Sequence, residues 1–143
     1  MKQLFIMRGL PGSGKSLISK ILWFGLKMNG VTQCTLLSAD DLRFYDGEYK
    51  FIPENEEFVW ERFEELFYEA IDNEIENIII DNTNLRPINY ELYKREAIEN
   101  GYAVHEIIVG DFDVVKCFER GKHDVPIDKL QAMKDFFQFP TNK

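Results

Sequence analysis

Near its start the chain reads Gly9-Leu10-Pro11-Gly12-Ser13-Gly14-Lys15-Ser16. This stretch matches the pattern G-x-x-x-x-G-K-[ST] at every fixed position, with an apolar run before it and a helical pattern after it. Its glycines allow successive backbone N–H groups to point inward at phosphate oxygens. A tight turn alone would require neither Lys15 nor Ser16, so the stretch predicts a loop that binds a nucleoside triphosphate.

Each part of this loop has a predicted role. Lys15 would reach the β and γ phosphates, and Ser16 would offer its hydroxyl to Mg²⁺. The helix that follows would present its positive end to the same phosphates. The predicted cofactors are therefore Mg²⁺ and ATP, or GTP, as the phosphoryl donor. The predicted nucleotide-binding residues are Gly9, Pro11, Gly12, Ser13, Gly14, Lys15, Ser16 and, from a later segment, Arg120.

Length and composition indicate a globular domain. The chain has 143 residues, of which 45% are hydrophobic and 29% are charged. We expect residues 1–143 to form one domain of the phosphate-loop type, with a short lid around residues 119–126. No apolar run approaches the roughly 20 residues of a membrane span. The apolar start runs directly into the Gly-rich loop and does not resemble a signal peptide. We therefore expect a cytoplasmic protein without a membrane partner.

The net charge of −8 is distributed unevenly along the chain. Residues 1–39 contain five basic residues and no acidic one, whereas residues 40–76 contain fourteen acidic and three basic residues. A protein that binds along a nucleic acid usually presents a basic face. The charge pattern therefore argues against tight nonspecific binding to a long strand. It leaves room for a local basic pocket that binds one terminal phosphate.

Strands and helices are predicted to alternate. Near-continuous apolar runs predict four strands, at residues 3–8, 33–37, 77–81 and 102–109. Such strands, separated by helices, are typical of a parallel sheet covered on both faces. The expected fold class is α/β, a P-loop NTPase-type three-layer sandwich with a central parallel sheet of about four strands. Ligands bind at the carboxyl ends of such strands, so one cleft should be bordered by Gly9, Ser38, Asp81 and Gly110.

Three local patterns complete this outline. The helix after the phosphate loop is expected over residues 15–29, and its buried side should consist of Leu17, Ile18, Ile21, Leu22 and Phe24. Residues 45–53 are expected to form a loop that turns at Asp46-Gly47. Pro87 is expected to open a helix that extends to about Asn100.

Asp40 and Asp41 follow the second predicted strand and should therefore lie at the edge of the cleft. A carboxylate there could accept the proton of an acceptor hydroxyl. The structural alternative is that Asp40 caps a helix and Asp41 is an acid of its first turn. Arg43 lies one helical turn beyond Asp40, so the two side chains share a face. They could bind an acceptor hydroxyl and a nearby anion, or form a surface ion pair that contributes little.

Two further candidates flank the predicted phosphate site. Asp81 ends the third strand and could coordinate Mg²⁺, directly or through water and Ser16. A turn residue would also fit there, because Asn82-Thr83-Asn84 continues as a polar turn. The basic segment 120–123 lies between two predicted helices and could close over the triphosphate, with Arg120 stabilising transition-state charge. The alternative is a solvated loop in which Arg120 caps its helix.

These pieces together resemble the 5′-hydroxyl polynucleotide kinase family, the kinase module of phage and animal end-healing enzymes. The resemblance covers nearly the whole chain. Besides the phosphate loop, it rests on Asp40-Asp41-x-Arg43 after the second strand and on Asp81-Asn82-Thr83-Asn84 after the third. It also rests on Arg120-Gly121 followed by Val125-Pro126-Ile127-Asp128.

The resemblance implies a role for each matching residue. Asp40 would be the general base, Arg43 would bind the acceptor's neighbouring phosphate, and Arg120 would be a lid arginine on the donor phosphates. The implied catalytic residues are Lys15, Asp40, Arg43 and Arg120. The implied acceptor-binding residues are Arg43, Thr83 and Arg86. The candidate metal ligands remain Ser16 and Asp81.

The implied function is ATP- and Mg²⁺-dependent phosphoryl transfer to the 5′-hydroxyl of a nucleic acid or oligonucleotide end. A phage-encoded enzyme acting in the host cytoplasm would fit this function. The lid contains only Arg120 and Lys122 where family lids often carry further arginines, and the predicted helix 54–74 is strongly acidic. These departures support an alternative, a kinase of a nucleoside, a modified DNA base or another small hydroxyl acceptor.

A third hypothesis is a nucleotide-dependent switch that transfers no phosphoryl group. Asp40 argues against it, since a switch requires no base for a bulky acceptor. The sequence leaves open the choice between DNA and RNA, the donor base and the oligomeric state.

Overall fold

The fold is described from a computed structural model of residues 1–30 and 33–140. The last three residues of the predicted domain and residues 31–32 lie outside the described residues. The strands are β1 (Gln3–Arg8), β2 (Cys34–Leu37), β3 (Phe44–Tyr45), β4 (Glu48–Tyr49), β5 (Asn77–Asp81) and β6 (Ala103–Ile108). The α-helices are α1 (Lys15–Met28), α2 (Glu56–Asp72), α3 (Glu91–Glu99), α4 (Val114–Arg120) and α5 (Ile127–Phe136). Short 3-10 helices cover Ala39–Leu42, Pro53–Asn55 and Pro87–Asn89.

The central sheet contains four strands in the order β2, β5, β1, β6. All of its pairings are parallel, and β1 lies between β5 and β6. The register places Leu4 opposite Ile78 and Met7 opposite Asp81. Parallel pairing therefore brings the carboxyl ends of all four strands to one edge, and the predicted fold class is confirmed.

One face of the sheet carries the main hydrophobic core. Alternate strand residues point to this face, where Leu4, Ile6, Ile78 and Ile80 are fully buried. Helices α2 and α3 supply the covering side chains, which include Phe63, Phe67, Tyr93 and Ala97. The rings of Phe63 and Phe67 meet the ring of Tyr93 edge to face, at centroid distances of 5.4 and 5.0 Å.

Helix α1 packs on β1, β2 and β5. Its fully buried residues are Lys15 and Ser19. The expectation that its apolar side would be buried was wrong, because Leu17 is 63% and Phe24 60% exposed, with Ile18 and Ile21 also exposed. Leu22 is half-buried. The physical reason is that the rest of the described chain does not cover the outer side of α1.

Two predicted elements differ in detail. Residues 45–53, expected as a loop, include the β3–β4 hairpin, which turns at Asp46 and Gly47 with positive φ angles of 52° and 81°. Positive φ at both central residues is typical of a type I′ hairpin turn. The helix expected from Pro87 starts later, at Glu91, because a 3-10 turn precedes it. Within residues 1–30 and 33–140, no helix is long and apolar enough to cross a bilayer.

Arg8, at the end of β1, holds the carboxyl edge of the sheet together. Its side chain is 1% exposed. The guanidinium donates to the backbone carbonyls of Asn84 at 2.9 Å, Leu85 at 3.2 Å and Gln138 at 2.6 Å. Each carbonyl would lack this partner if the guanidinium were removed, and an unpaired buried acceptor is costly. Arg8 therefore fastens both the loop after β5 and the C-terminal segment to β1.

We expect Arg8→Met to lower the free energy of unfolding by about 3 kcal/mol or more, because it takes the charged donor from the carbonyls of Asn84 and Gln138 in a largely buried site. The matched control is Arg62→Met, which removes an arginine whose ion pairs lie on the surface of α2. It should change the free energy of unfolding by about 1 kcal/mol or less. Urea denaturation of both variants measures the difference, and equal effects would contradict the role given to Arg8.

Candidate functional site

The loop between β1 and α1 is tightly wrapped. Gly12 and Gly14 have positive φ angles of 78° and 97°, a backbone conformation that favours glycine. A Cβ at Gly12 would overlap the backbone carbonyl of Cys117, and a Cβ at Gly9 would lie 2.6 Å from the carbonyl oxygen of Val109. The glycines at these positions are therefore required by the close approach of neighbouring backbone.

Lys15 and Asp81 form a buried ion pair at the centre of the site. The Lys15 Nζ lies 3.0 Å from Asp81 Oδ1, and both side chains are buried. Asp81 reaches Lys15 because β5 pairs with β1 and ends beside the loop. Ser16, in the first turn of α1, is exposed beside this pair. The carboxylate predicted as a metal ligand thus holds the predicted phosphate-binding lysine in place.

The polar turn after β5 connects the ends of neighbouring segments. The amide oxygen Oδ1 of Asn82 accepts a hydrogen bond from the backbone N–H of Ala39 at 2.9 Å. The backbone carbonyl of Thr83 accepts one from Gly9 at 3.0 Å. The Nδ2 donor of Asn82 is buried and has no partner among the described residues. Through these two hydrogen bonds the turn connects β5 to the segments that begin at Gly9 and Ala39. It also places the unpaired amide donor of Asn82 in the site.

Asp40 lies in the 3-10 helix Ala39–Leu42 and uses one carboxylate oxygen for hydrogen bonds. Its Oδ1 accepts from Arg43 Nη1 at 2.7 Å and from the Tyr49 hydroxyl at 3.2 Å. Burial, followed by the negative charge of Asp40, raises the pKa of Tyr49 to about 12, so Tyr49 remains a donor at neutral pH. Asp40 Oδ2 lies 3.9 Å from His123 Nε2 and accepts no hydrogen bond from the described residues.

Arg43 is held by two carboxylates. Besides Asp40, it donates from Nε to Glu56 Oε2 at 3.0 Å and from Nη2 to Glu56 Oε1 at 2.7 Å. Burial opposes the charge of the guanidinium, but the hydrogen bonds to Glu56 and Asp40 outweigh it and raise the pKa of Arg43. The side chain of Arg43 is 13% exposed and that of Asp40 is 43% exposed, so this ion pair is partly buried. The guanidinium is already paired on both sides, and the resemblance had predicted it as a ligand of the acceptor phosphate.

Two cavities meet at this cluster. The smaller cavity, of about 170 Å³, lies between the phosphate loop and segment 120–125. The larger one, of about 360 Å³, opens between Asp40, α2 and the start of α5. Both are lined by Pro11, Lys15, Asp40, His123 and Val125. The predicted phosphate-binding lysine and the predicted general base therefore stand where the two cavities join.

The predicted lid corresponds to the end of α4 and the connection to α5. Arg120 is the last residue of α4, and its Nη1 donates to Asp111 Oδ2 at 3.1 Å. A hydrogen bond from the backbone N–H of Asp113, together with the charge of Arg120, lowers the pKa of Asp111. Arg120, Gly121 and Lys122 line the smaller cavity. The structure therefore brings the predicted lid arginine to the phosphate loop.

The predicted acceptor residues separate in the structure. Thr83 lines the larger cavity together with Arg43. Arg86 lines neither cavity. Its backbone N–H donates to Asn89 Oδ1 at 2.9 Å at the start of a 3-10 turn, and its guanidinium carbon lies 6.0 Å from the ring centroid of Phe136. This turn carries Arg86 away from the cavity, so the structure does not bring it to the acceptor side.

Several lining residues were not identified from the sequence. The larger cavity is also lined by Tyr49, Phe51, Trp60, Lys129 and Met133. Tyr49 contacts Asp40, and Glu56, which does not line the cavity, contacts Arg43. For Tyr49 a signal existed, because Asp46-Gly47 is a strong hairpin signal. Glu56 was one acid among many in a segment of high negative charge.

The chain was compared with known proteins. Residues 4–140 match the sequence profile of the AAA domain family AAA_33. Over 142 residues the chain is 31% identical to NEDD4-binding protein 2 of Homo sapiens, a match that covers 94% of this chain. The chain spans only 8% of the length of that curated relative.

Solved structures share the fold at low sequence identity. One is a chain of the Pnkp1/Rnl/Hen1 RNA repair complex, with a TM-score of 0.65 and 19% identity, covering 94% of this chain and 43% of that chain. Another is the APS kinase of Mycobacterium tuberculosis in complex with AMPPNP and APS, with a TM-score of 0.60 and 17% identity, covering 83% of this chain and 68% of that chain. The matched profile spans nearly the whole chain and the fold is P-loop kinase-like, so this protein belongs to the AAA domain family AAA_33.

Proposed function

We propose that the chain transfers the γ-phosphoryl group of ATP, or GTP, to the 5′-hydroxyl of a nucleic acid or oligonucleotide end. The observation that carries this proposal is the junction of the two cavities at Lys15 and Asp40. A triphosphate in the smaller cavity would direct its terminal phosphate toward the larger one. An acceptor hydroxyl in the larger cavity would then meet both the phosphate and a carboxylate.

The proposed reaction is a direct displacement at the γ-phosphorus. The acceptor oxygen forms a bond to phosphorus, and the bond between phosphorus and the β,γ-bridging oxygen breaks. The hydroxyl proton passes to Asp40 Oδ2, and the nucleoside diphosphate leaves. Arg43 and Tyr49 hold Asp40 through its other oxygen, so the accepting oxygen keeps a fixed direction.

Lys15 and Arg120 are proposed to offset the charge of the triphosphate. Lys15 would act on the β and γ phosphates, and Arg120 would approach them from the end of α4. Arg120 is paired with Asp111 and half exposed, so it is free to exchange this partner for a phosphate. The partial positive charge at the N-terminus of α1 would also offset the negative charge of the triphosphate.

The donor set fits a magnesium ion carried by the triphosphate. The described residues contain no group of three or more acidic, histidine or cysteine side chains that could hold a metal alone. Mg²⁺ characteristically takes one or two protein oxygens and completes its shell with phosphates and water. Ser16 and Asp81 are the proposed ligands. When bound, the ion would neutralise charge that develops on the phosphates.

Asp40→Asn should abolish most of the transfer while leaving the nucleotide site intact. The amide keeps the shape of the side chain but cannot take the hydroxyl proton, so we expect kcat to fall by about 10²–10⁴-fold. Transfer of labelled γ-phosphate to a 5′-hydroxyl oligonucleotide measures kcat, and nucleotide titration measures ATP affinity, which should change by less than about threefold.

Asp41→Asn is the matched control, since it removes the adjacent carboxylate of the same turn. It should retain activity within about threefold. The assignment of Asp40 as the base would be overturned if the two variants lost activity equally, or if Asp40→Asn retained it.

A second candidate function is phosphoryl transfer to a nucleoside, a modified DNA base or another small hydroxyl acceptor. The specific observation that favours it is the larger cavity, whose volume of about 360 Å³ lies in the range of small-molecule sites. The solved APS kinase that shares the fold is bound to AMPPNP and APS.

A panel of acceptors separates the two functions. Nucleosides, 3′-nucleotides and 5′-hydroxyl oligonucleotides of increasing length would be offered at fixed ATP and Mg²⁺. The leading function predicts that kcat/KM rises from nucleoside to oligonucleotide and falls steeply with salt, because phosphate contacts are electrostatic. The highest kcat/KM on a small neutral acceptor would support the second function instead.

A further inference from the structure

The pairing of Arg43 changes where an anionic acceptor can be bound. Asp40, Arg43 and Glu56 together carry a formal charge of minus one. All three guanidinium nitrogens of Arg43 donate hydrogen bonds to these carboxylates. The Arg43 side chain is 13% exposed and that of Glu56 20%, so moving the guanidinium away from Glu56 would leave a largely buried carboxylate without its cation, which is unfavourable. An acceptor phosphate therefore requires another cation on the wall of the larger cavity.

Lys129 is the cation that meets this requirement. It lies in the first turn of α5 and lines the larger cavity. The ion pairs found within residues 1–30 and 33–140 do not include it. The other basic side chains of the cavity are engaged, Lys15 with Asp81 and His123 beside Asp40.

Two aromatic rings line the same wall. Phe51 is 49% exposed and Trp60 is 38% exposed, so each offers part of its surface to a ligand. The guanidinium carbon of Arg43 lies 5.7 Å from the centroid of each ring. The Lys129 Nζ lies 4.7 Å from the centroid of Phe51. The wall thus combines exposed aromatic surface with an unpaired ammonium, next to the carboxylate that would receive a hydroxyl proton.

We propose that Phe51, Trp60 and Lys129 form the acceptor-specificity subsite, and that it binds a nucleotide rather than a sugar or a free nucleoside. This inference rests on the proposed function. The base stacks on the aromatic wall, as bases do on exposed aromatic side chains. The phosphate on the 3′ side of the reacting nucleotide pairs with Lys129. This nucleotide can be the end of an oligonucleotide or a free 3′-nucleotide, since both present the same base and phosphate.

Binding can be measured without any transfer. The probes are 5′-deoxyadenosine 3′-phosphate and 5′-deoxyadenosine, which lack the reacting hydroxyl. The chain has two tryptophans, so Trp23→Phe, in α1, leaves Trp60 as the reporter of quenching. We expect the phosphorylated probe to bind about tenfold more tightly than the nucleoside in this background. The added change Lys129→Gln should remove that difference, and Phe51→Leu should weaken both probes by about fivefold or more.

Matched controls lie outside the cavity, one on α5 with Lys129 and one on α2 with Trp60. Lys134→Gln, on α5, and Phe58→Leu, an exposed phenylalanine of α2, should leave both affinities within about twofold. Equal affinity of the two probes, no detectable quenching by either, or equal losses in the Lys129 and Lys134 variants would overturn the subsite.

Kinetics separate this inference from the proposed function. With a 5′-hydroxyl oligonucleotide, Lys129→Gln should raise KM about tenfold at unchanged kcat. The slope of log affinity against log salt should become shallower by about 0.7. Transfer with unchanged KM in the Lys129, Phe51 and Trp60 variants would overturn the subsite and leave the function standing. Selective binding of the phosphorylated probe, without transfer to any acceptor, would overturn the function and leave the nucleotide subsite standing. A free 3′-nucleotide and an oligonucleotide offered side by side show which source is preferred.

Discussion

The site depends on the pairing of β1 with β5. Register places Asp81 opposite Met7, two residues before the phosphate loop begins, and this puts the carboxylate within 3.0 Å of Lys15. A charged lysine this deeply buried would be unfavourable without an anionic partner. The buried carboxylate of Asp81 requires the lysine for the same reason. The same strand end continues into the turn that binds Gly9 and Ala39. One sheet pairing thus positions the phosphate loop, its lysine and the segment that carries Asp40.

The local parts of the fold and site could be predicted from the sequence. The phosphate loop is a contiguous motif, and the Asp40–Arg43 contact follows from a spacing of three residues in a helical turn. The four strands appear as near-continuous apolar runs. Periodicity identified α1 as amphipathic, but it could not show that the outer side of the helix would lack cover, since this depends on the tertiary arrangement of the whole chain.

The long-range contacts of the larger cavity and its surroundings could not be predicted in this way. Glu56 reaches Arg43 across thirteen residues, and Lys129 reaches Phe51 across most of the chain. Such contacts depend on packing, and the individual residues are ordinary members of acidic or basic segments. The resemblance assigned the acceptor phosphate to Arg43, whereas the structure pairs this guanidinium with two carboxylates. A motif shows which residue stands at a position. The side chains that pack around that residue determine whether its charge is available to a ligand.

The two oxygens of the Asp40 carboxylate have different surroundings. Arg43 and Tyr49 donate hydrogen bonds to one oxygen of the carboxylate, and the other oxygen lies 3.9 Å from His123 Nε2. Positioning of this kind is the main contribution that a protein makes to phosphoryl transfer, because the chemistry requires alignment and charge neutralisation more than covalent catalysis. The recognition of the acceptor is the role we propose for Phe51, Trp60 and Lys129, which line the same cavity.

The inhibition pattern of a bisubstrate analogue tests whether phosphoryl transfer occurs where the two cavities meet. Adenosine joined to a nucleoside 3′-phosphate through a 5′,5′-tetraphosphate would span both cavities. We predict that this analogue inhibits competitively against ATP and against the 5′-hydroxyl acceptor, and that it binds more tightly than either of its halves alone. Competition against ATP alone, with noncompetitive inhibition against the acceptor, would show that the acceptor binds elsewhere.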